Sequence, residues 1–305
     1  MKYLISGGAG FIGSNLVENL VNEGHQVIVV DNLSTGNLDN LKDVIDKIVF
    51  LKMSSGDVLN MQERCKLFGG IDGIFHLGMT ASSILLRDNH FLTGQDISDF
   101  IALLELAKEQ ECKIVFNSTS SIYNGNQTPY NETQTIFVED FYSEVRYILE
   151  RLALLYNKLF GVKSIALRPF SVYGPHEESK GDRANLVSQF LWAMKENKQP
   201  TVWGDGSHER DLVHVNDWIR AAKLAMNSEI ECDVINIGSG EIHTINDIIA
   251  TINKVLNKDI KAKFIKNPLE GRAYFAKHHL ADTTKAENVL GFKTEISLME
   301  GIKLL

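Results

Sequence analysis

The 305-residue chain is poor in cysteine, with only Cys65, Cys112 and Cys232. Three widely spaced thiols exclude a disulfide framework, and no CxxC pair offers metal-ligand spacing, so no metal is expected. Long apolar runs are also missing, and none approaches the roughly 18 to 20 residues of a membrane span. The opening MKYLISGGAG runs from a short apolar strand straight into glycines, without the apolar core and cleavage site of a secretory signal. A cytoplasmic protein with no membrane partner is expected. Positive charge is scarce: 31 Lys and Arg against 39 Asp and Glu leave a net charge of −8. That argues against nucleic-acid binding, whose affinity comes from accumulated cations, and requires any anionic ligand to find a local basic pocket.

What is present is an ordinary globular composition, 44% hydrophobic and 23% charged, without internal repeats or linkers. The first 120 residues alternate β-rich and helix-like runs, the pattern of parallel strands joined by helical crossovers. Strands are expected at 3–6, 26–30, 48–51, 73–77 and 113–117, with a sixth at 163–167. SNLVENLVNEG places Leu16, Val17, Leu20 and Val21 at helical spacing and stops at Gly24. Beyond Pro169 the segments YGPHEESKGD and WGDGSHERD are turn-rich. HVNDWIRAAKLAMN reads as a helix, DVINIGSG as a buried strand, and TINDIIATINKVL as an amphipathic helix opened by a threonine cap.

SGGAGFIGS follows the first strand and opens the first helix, which sets Gly7, Gly8, Gly10 and Gly13 in the context of a dinucleotide fingerprint. Glycines let the backbone approach a pyrophosphate, and the helix N-terminus supplies N–H groups and a positive dipole end. Asp31 closes the run VIVVD, where a carboxylate can bond the adenosine ribose and repel a 2′-phosphate, favouring NAD over NADP. The plainer reading of Asp31 is a cap on the turn DNLSTG. The expected fold is α/β, a Rossmann-like doubly wound parallel sheet with a smaller C-terminal substrate lobe. Residues 1–169 would bind NAD, with the chain returning at about 210–238, and 170–209 with 239–305 would form the lobe.

The motifs GGAGFIG, DNLSTG, GDV, FHLG, STSSIY, LRPFSVYGP, WGDG, ERDLVHVND, NIGSG and LADTTKAENVLGF follow one another along nearly the whole chain. In this order they resemble the extended short-chain dehydrogenase/reductase family, in particular its NAD-dependent nucleotide-sugar epimerases and dehydratases. The resemblance implies that Phe11 and Ile12 pack at the pyrophosphate turn. Asn32, Ser34, Thr35 and Gly36 would bond the adenosine end, and Asp57 and Val58 would meet the adenine. Leu77, Gly78 and Met79 would line the path to the nicotinamide, with Phe170 near it; the family usually has Ala-Ala where this chain has Gly78 and Met79.

The resemblance also places a catalytic set. Thr119, four residues before Tyr123, takes the position of the family's active-site Ser or Thr, although Asn124 interrupts the usual Tyr-Gly pair. Tyr142 takes that of the tyrosine in YxxxK, and Arg146 replaces its lysine. A free tyrosine, with a pKa near 10, is a poor base at neutral pH and needs a nearby cation. Positions i and i+4 share a helix face, so Arg146 can supply the charge with a bulkier, planar group. Asp96 stands where an asparagine is usual, which suggests that Asp96 and Arg146 are a compensating pair.

For the nucleotide-diphosphate sugar the resemblance implies Arg210 and Arg272 at the diphosphate, with Asn185, Leu186 and the segment from Thr201 through Val202 to Trp203 near the diphosphate, base and ribose. Thr80 and Ser171 would meet the substrate, within and beyond the sugar-facing loop 79–91. Dehydratases of this group carry an acid–base pair after the Thr, and here Ser120 and Ser121 follow, which disfavours dehydration. The expected activity is oxidation at C4 by tightly held NAD, as in a 4-epimerase. A 4-dehydrogenase that releases the keto sugar, and a non-catalytic NAD-binding protein, are the alternatives. A homodimer through the Tyr142 helix is expected, with Leu149, Leu152, Ala153 and Tyr156 as either interface or core.

Overall fold

The computed structural model describes residues 1–60, 64–267 and 277–305. Its central sheet contains β1 (Lys2–Ser6), β2 (Gln26–Asp31), β3 (Val49–Lys52), β4 (Gly73–His76), β5 (Lys113–Asn117), β6 (Ser164–Pro169) and β11 (Cys232–Ile237). The order is β11-β6-β5-β4-β1-β2-β3, and the β1–β2, β1–β4, β2–β3, β4–β5 and β5–β6 pairs are parallel. The chain reverses direction across the sheet after β3, so β1 and β4 flank the switch point, where α/β folds bind ligands at the strands' C-terminal ends. Tyr3, Leu4, Ile5 and Ser6 are all buried, as expected of a strand covered on both faces.

The helices connecting these strands are α1 (Phe11–Asn22), α2 (Arg64–Phe68), α3 (Ser83–Asp88), α4 (Phe91–Glu109) and α5 (Phe141–Phe160). In α1, Leu16, Val17 and Leu20 form the buried stripe. Asp140 caps α5 by accepting the Ser143 N–H, and Gly161 ends it in the left-handed region. The inward face of α5 is Val145, Arg146, Leu149, Glu150 and Ala153. Burying Val145 or Leu149 contributes about 1.5–3 kcal/mol each, whereas buried Arg146 and Glu150 require partners. Leu152 and Tyr156 also pack against the core cluster, so all four residues read as interface or core belong to the core side.

Two compact units emerge. The first comprises Met1–Thr119, Asp140–Arg168 and Ala222–Ile235; the second comprises Ser120–Glu139, Pro169–Ala221 and Asn236–Leu305. Short strands pair within the second: β7 (Val172–Tyr173) with β10 (Val213–His214), β8 (Thr201–Trp203) with β13 (Lys263–Ile265), and β9 (Glu209–Arg210) with β12 (His243–Thr244). Its core gathers Val187, Phe190 and Leu191 of α6 (Leu186–Lys195) with Ile245, Ile248 and Ile252 of α8 (Ile245–Leu256). Thr244 opens α8 with a reciprocal capping box to Asp247, the cap expected from the sequence. Strand ends differ from the sequence reading by a residue or two, where pairing rather than side-chain pattern decides the boundary. Among the described residues no helix is long and apolar enough to cross a membrane.

Candidate active site and cofactor cradle

The glycine turn between β1 and α1 is built by close backbone approach. Gly7 has φ +71°, and a Cβ there would meet Gly78 N at 2.5 Å. A Cβ on Gly13 would lie 2.1 Å from the Gly7 carbonyl oxygen. Gly78, where an alanine was the expected type, would carry its Cβ 2.8 Å from Gly7 N and 3.1 Å from Ser55 Oγ, so glycine suits the crossing of this turn with the end of β4. The N-cap of α1 is Gly10, which has no side chain to occupy the helix N-terminus, while Phe11 is buried and Ile12 half-buried behind it.

Asp31, the last residue of β2, points back at this turn. Its Oδ2 accepts the Ala9 N–H at 2.9 Å and its Oδ1 the Leu33 N–H at 2.8 Å. The turn-capping role is therefore real, and it coexists with a bond into the glycine loop. Burial pushes the Asp31 carboxyl up, against the lowering effect of these two amides. Asn32 and Ser34 are exposed, Thr35 and Gly36 half-buried; Asn32 Oδ1 accepts the Ser34 N–H. Asp57 is exposed and Val58 fully buried, and Leu77, Gly78, Met79 and Thr80 line the half-buried stretch after β4. A side-chain-free helix N-terminus, a turn that only glycine can close and a carboxylate at the end of the neighbouring strand fit an adenine dinucleotide.

Tyr142, in the first turn of α5, lies under Arg146: the guanidinium carbon is 4.0 Å from the ring centroid. Arg146 is buried, donates through Nη2 to the Thr80 carbonyl at 2.5 Å, and brings Nη1 to 3.8 Å from Asp96 Oδ2. The structure thus brings Asp96 and Arg146 together. Asp96 in turn accepts both the Thr80 N–H and the Thr80 hydroxyl. Burial pushes the Asp96 carboxyl up, while Arg146 and Thr80 hold it down. Thr119 is buried just beyond β5.

Two buried arrangements in the first unit were not singled out from sequence. Ser118 Oγ donates to Glu150 Oε1, and Arg168 grips the same carboxylate through Nε at 2.8 Å and Nη2 at 2.6 Å. This forked pair supports the residue next to Thr119. Glu150 falls four positions after Arg146 on the inward face of α5, but no spacing in the sequence shows that its partner is Arg168. Ser6 Oγ shares a 2.6 Å hydrogen bond with His76 Nδ1 and accepts the Gly78 N–H at 3.3 Å. The quoted FHLG contains this histidine, but nothing in its pattern distinguishes a buried hydrogen-bonded imidazole from packing.

In the second unit, Arg210 lies on β9 beside β12, and burial pushes its pKa down while nearby Tyr130 raises it. Asn185 caps α6 by accepting the Val187 N–H and donates to the carbonyls of Ser171 and Val172, which ties Ser171, at φ +28°, to the helix start. Leu186 is exposed, Trp203 is 44% exposed, and Val202 between the β8 ends is buried in the unit's core. Phe170 is wholly buried in an aromatic cluster with Tyr123 and Tyr130, its ring 5.1 Å from that of His279. Ser120 Oγ donates to the Pro169 carbonyl. Arg272 lies outside the described residues.

The chain matches the model of the NAD dependent epimerase/dehydratase family over residues 3–238. It is 34% identical over 307 residues to a putative UDP-glucose 4-epimerase of Methanocaldococcus jannaschii, covering 98% of this chain and 95% of that protein. It is also 30% identical over 314 residues to UDP-glucuronic acid decarboxylase 6 of Arabidopsis thaliana, covering 100% and 88%. The solved UDP-glucose 4-epimerase of Thermotoga maritima, crystallised with UDP-glucose, superimposes with a TM-score of 0.90 at 32% identity, over 100% of this chain and 97% of that one. With the glycine turn, Asp31 and the switch-point sheet in place, the chain belongs to the NAD-dependent epimerase/dehydratase family and is an NAD-dependent enzyme.

Proposed function

We propose that this enzyme is a 4-epimerase acting on a UDP-sugar. The observation that carries the reading is the stacking of Arg146 on Tyr142 in the unit that also holds the cofactor cradle. Bound NAD supplies a reversible hydride acceptor for sugar C4. Tyr142 takes the C4 hydroxyl proton and later returns it, and Thr119 hydrogen-bonds the same oxygen. Arg146 offsets the charge on Tyr142 after proton loss. Gly7, Gly10, Phe11, Ile12 and Gly13 hold the pyrophosphate, Asp31 the ribose, and Asn32, Ser34, Thr35, Gly36, Asp57 and Val58 surround the adenosine.

Arg210 supplies the cation for the sugar diphosphate, with Arg272 as its second, and Asn185 sets the position of Ser171. Similarity to proteins named for UDP-glucose and UDP-glucuronic acid supports uridine as the base. Dehydration lacks support because Ser120 and Ser121 replace an acid–base pair, and the Ser120 hydroxyl is already committed to Pro169. The reading also includes a homodimer and a cytoplasmic location.

Incubation of the purified protein with UDP-glucose, UDP-galactose, UDP-glucuronic acid and their N-acetyl analogues tests this, with products followed by NMR. An epimer without net redox change is expected, and Tyr142→Phe should abolish it while keeping bound NAD. A 4-keto product with stoichiometric NADH, or release of CO2 from a uronic acid, would overturn the epimerase reading.

A further inference from the structure

Thr80 is held at all three of its polar groups by two buried charged residues. Its N–H lies 3.0 and 3.2 Å from the two Asp96 oxygens, and its hydroxyl 3.0 Å from Oδ1. Its carbonyl accepts from Arg146 Nη2. By contrast, the nearest approach between the two charges is 3.8 Å, and Arg146 Nη1 has no hydrogen-bond partner. That separation is a Coulombic contact, outside hydrogen-bond range. The stronger link between Asp96 and Arg146 therefore runs through residue 80.

Each component has a physical reason to be where it is. Asp96 sits on the buried face of α4 and Arg146 on the buried face of α5, both almost without solvent. A buried carboxylate and a buried guanidinium are each costly alone, and removing one partner leaves the other uncompensated. Lysine in place of Arg146 would bring a single ammonium with neither planar face nor forked donors, unable to stack on the Tyr142 ring and reach Thr80 at once. The guanidinium does both, since it stacks at 4.0 Å on the ring and donates to the carbonyl.

We infer that Asp96, Thr80 and Arg146 form a clamp in which Asp96 is a positioning residue for Tyr142: the carboxylate fixes Thr80, Thr80 fixes the guanidinium, and the guanidinium fixes the tyrosine ring. Asp96 acts through the other two and touches neither the tyrosine nor the reacting atoms. The clamp also anchors the start of the 79–91 loop against α5. This inference rests on the reading of Tyr142 as the base.

The test is a double-mutant cycle of Asp96→Asn, Arg146→Lys and the double variant, measuring kcat per NAD-loaded molecule, KM for the nucleotide sugar and NAD affinity. Asparagine is isosteric and keeps an acceptor, so the fold is retained, and hydrogen exchange over residues 79–82 of the NAD-free protein reads the clamp without activity. Each single change is expected to lower kcat by roughly tenfold or more, with NAD affinity within about twofold of wild type. The double variant should be no slower than the slower single, a coupling of about tenfold or about 1.4 kcal/mol. Exchange at 79–82 should quicken in both singles. Losses that multiply, or Asp96→Asn with unchanged kcat and unchanged exchange, would overturn the clamp. If instead Tyr142→Phe turns over normally, the base assignment itself fails, which separates the two outcomes.

Discussion

Ser6 Oγ and His76 Nδ1 lie 2.6 Å apart beneath the glycine turn, where burial is complete. Desolvation and the positive charge of Arg146 push the His76 imidazole down to about 3, so it stays neutral in the folded protein at any ordinary pH. Burial acts in the same direction on His279, down to about 3, and on His214, down to about 4, despite the opposing carboxylate of Asp217.

The consequence is a histidine contribution to stability that is lost on acidification. In the unfolded chain these histidines take up protons near pH 6.5, whereas in the folded chain they do not until about pH 3 to 4. At these three sites the unfolded state therefore binds more protons between about pH 4 and 6.5, and their contribution to stability rises with pH across that window, partly offset by buried carboxyls such as Asp31 and Asp96 that burial pushes up. Each such histidine adds a slope of up to about 1.4 kcal/mol per pH unit. Denaturant titrations from pH 4 to 8 should show this loss toward acid, and His76→Asn, which keeps a partner for Ser6, should reduce the slope by up to one histidine's share. A slope between pH 4 and 6.5 left unchanged by His76→Asn would contradict it.

Gly13 tests the cradle independently of catalysis. A methyl group 2.1 Å from the Gly7 carbonyl oxygen, and 2.8 Å from the Gly8 Cα, collides with backbone atoms and cannot be relieved by a rotamer change. Gly13→Ala is expected to lose bound NAD, measured by cofactor release and chromatography, and to unfold at lower temperature than wild type. Full NAD occupancy in this variant would mean that the turn opens more easily than its geometry implies.

Asp31 makes a separate prediction about cofactor choice. Its two carboxylate oxygens accept the Ala9 and Leu33 amides at the end of β2, so Asp31→Asn preserves shape but removes the charge and one of these two acceptors. NAD should bind more weakly and the preference for NAD over NADP should narrow by about tenfold, since a carboxylate both bonds the ribose and repels a 2′-phosphate. Calorimetry with both nucleotides measures this directly. An unchanged ratio would leave Asp31 with its turn-capping role alone.

How much of this was legible in the sequence depends on the kind of interaction. The sheet was readable because parallel strands with both faces covered are short apolar runs, and β1, β2 and β5 show that pattern plainly. The glycine turn was readable because close backbone approach leaves only one residue type. Tyr142 and Arg146 were placed by the family resemblance, and helical spacing put them on one face of α5. The Glu150–Arg168 pair was not, because Arg168 lies on β6 and its carboxylate partner on α5, and no local periodicity signals a long-range ion pair. Thr80 as the link between Asp96 and Arg146 was equally invisible, since its N–H and carbonyl contacts use backbone groups that every residue possesses.

The last prediction concerns the outer face of α5, since the four residues read from the sequence as either interface or core lie on the core side. Leu149, Leu152, Ala153 and Tyr156 turn toward the core, and the apolar exposure belongs to Leu154 at 58%, Leu155 at 49%, Leu159 at 66% and Phe160 at 50%. Leu155 and Leu159 are one turn apart, so they present neighbouring side chains along the helix. Water-exposed leucines clustered on one helix are the mark of an association surface, and a second copy of the chain presents the same stripe. Light scattering of wild type should give a dimer. Leu155→Glu with Leu159→Glu should give a monomer that retains its far-UV circular dichroism, because neither leucine contributes to the core. A dimer that survives both charges would move the interface off this helix.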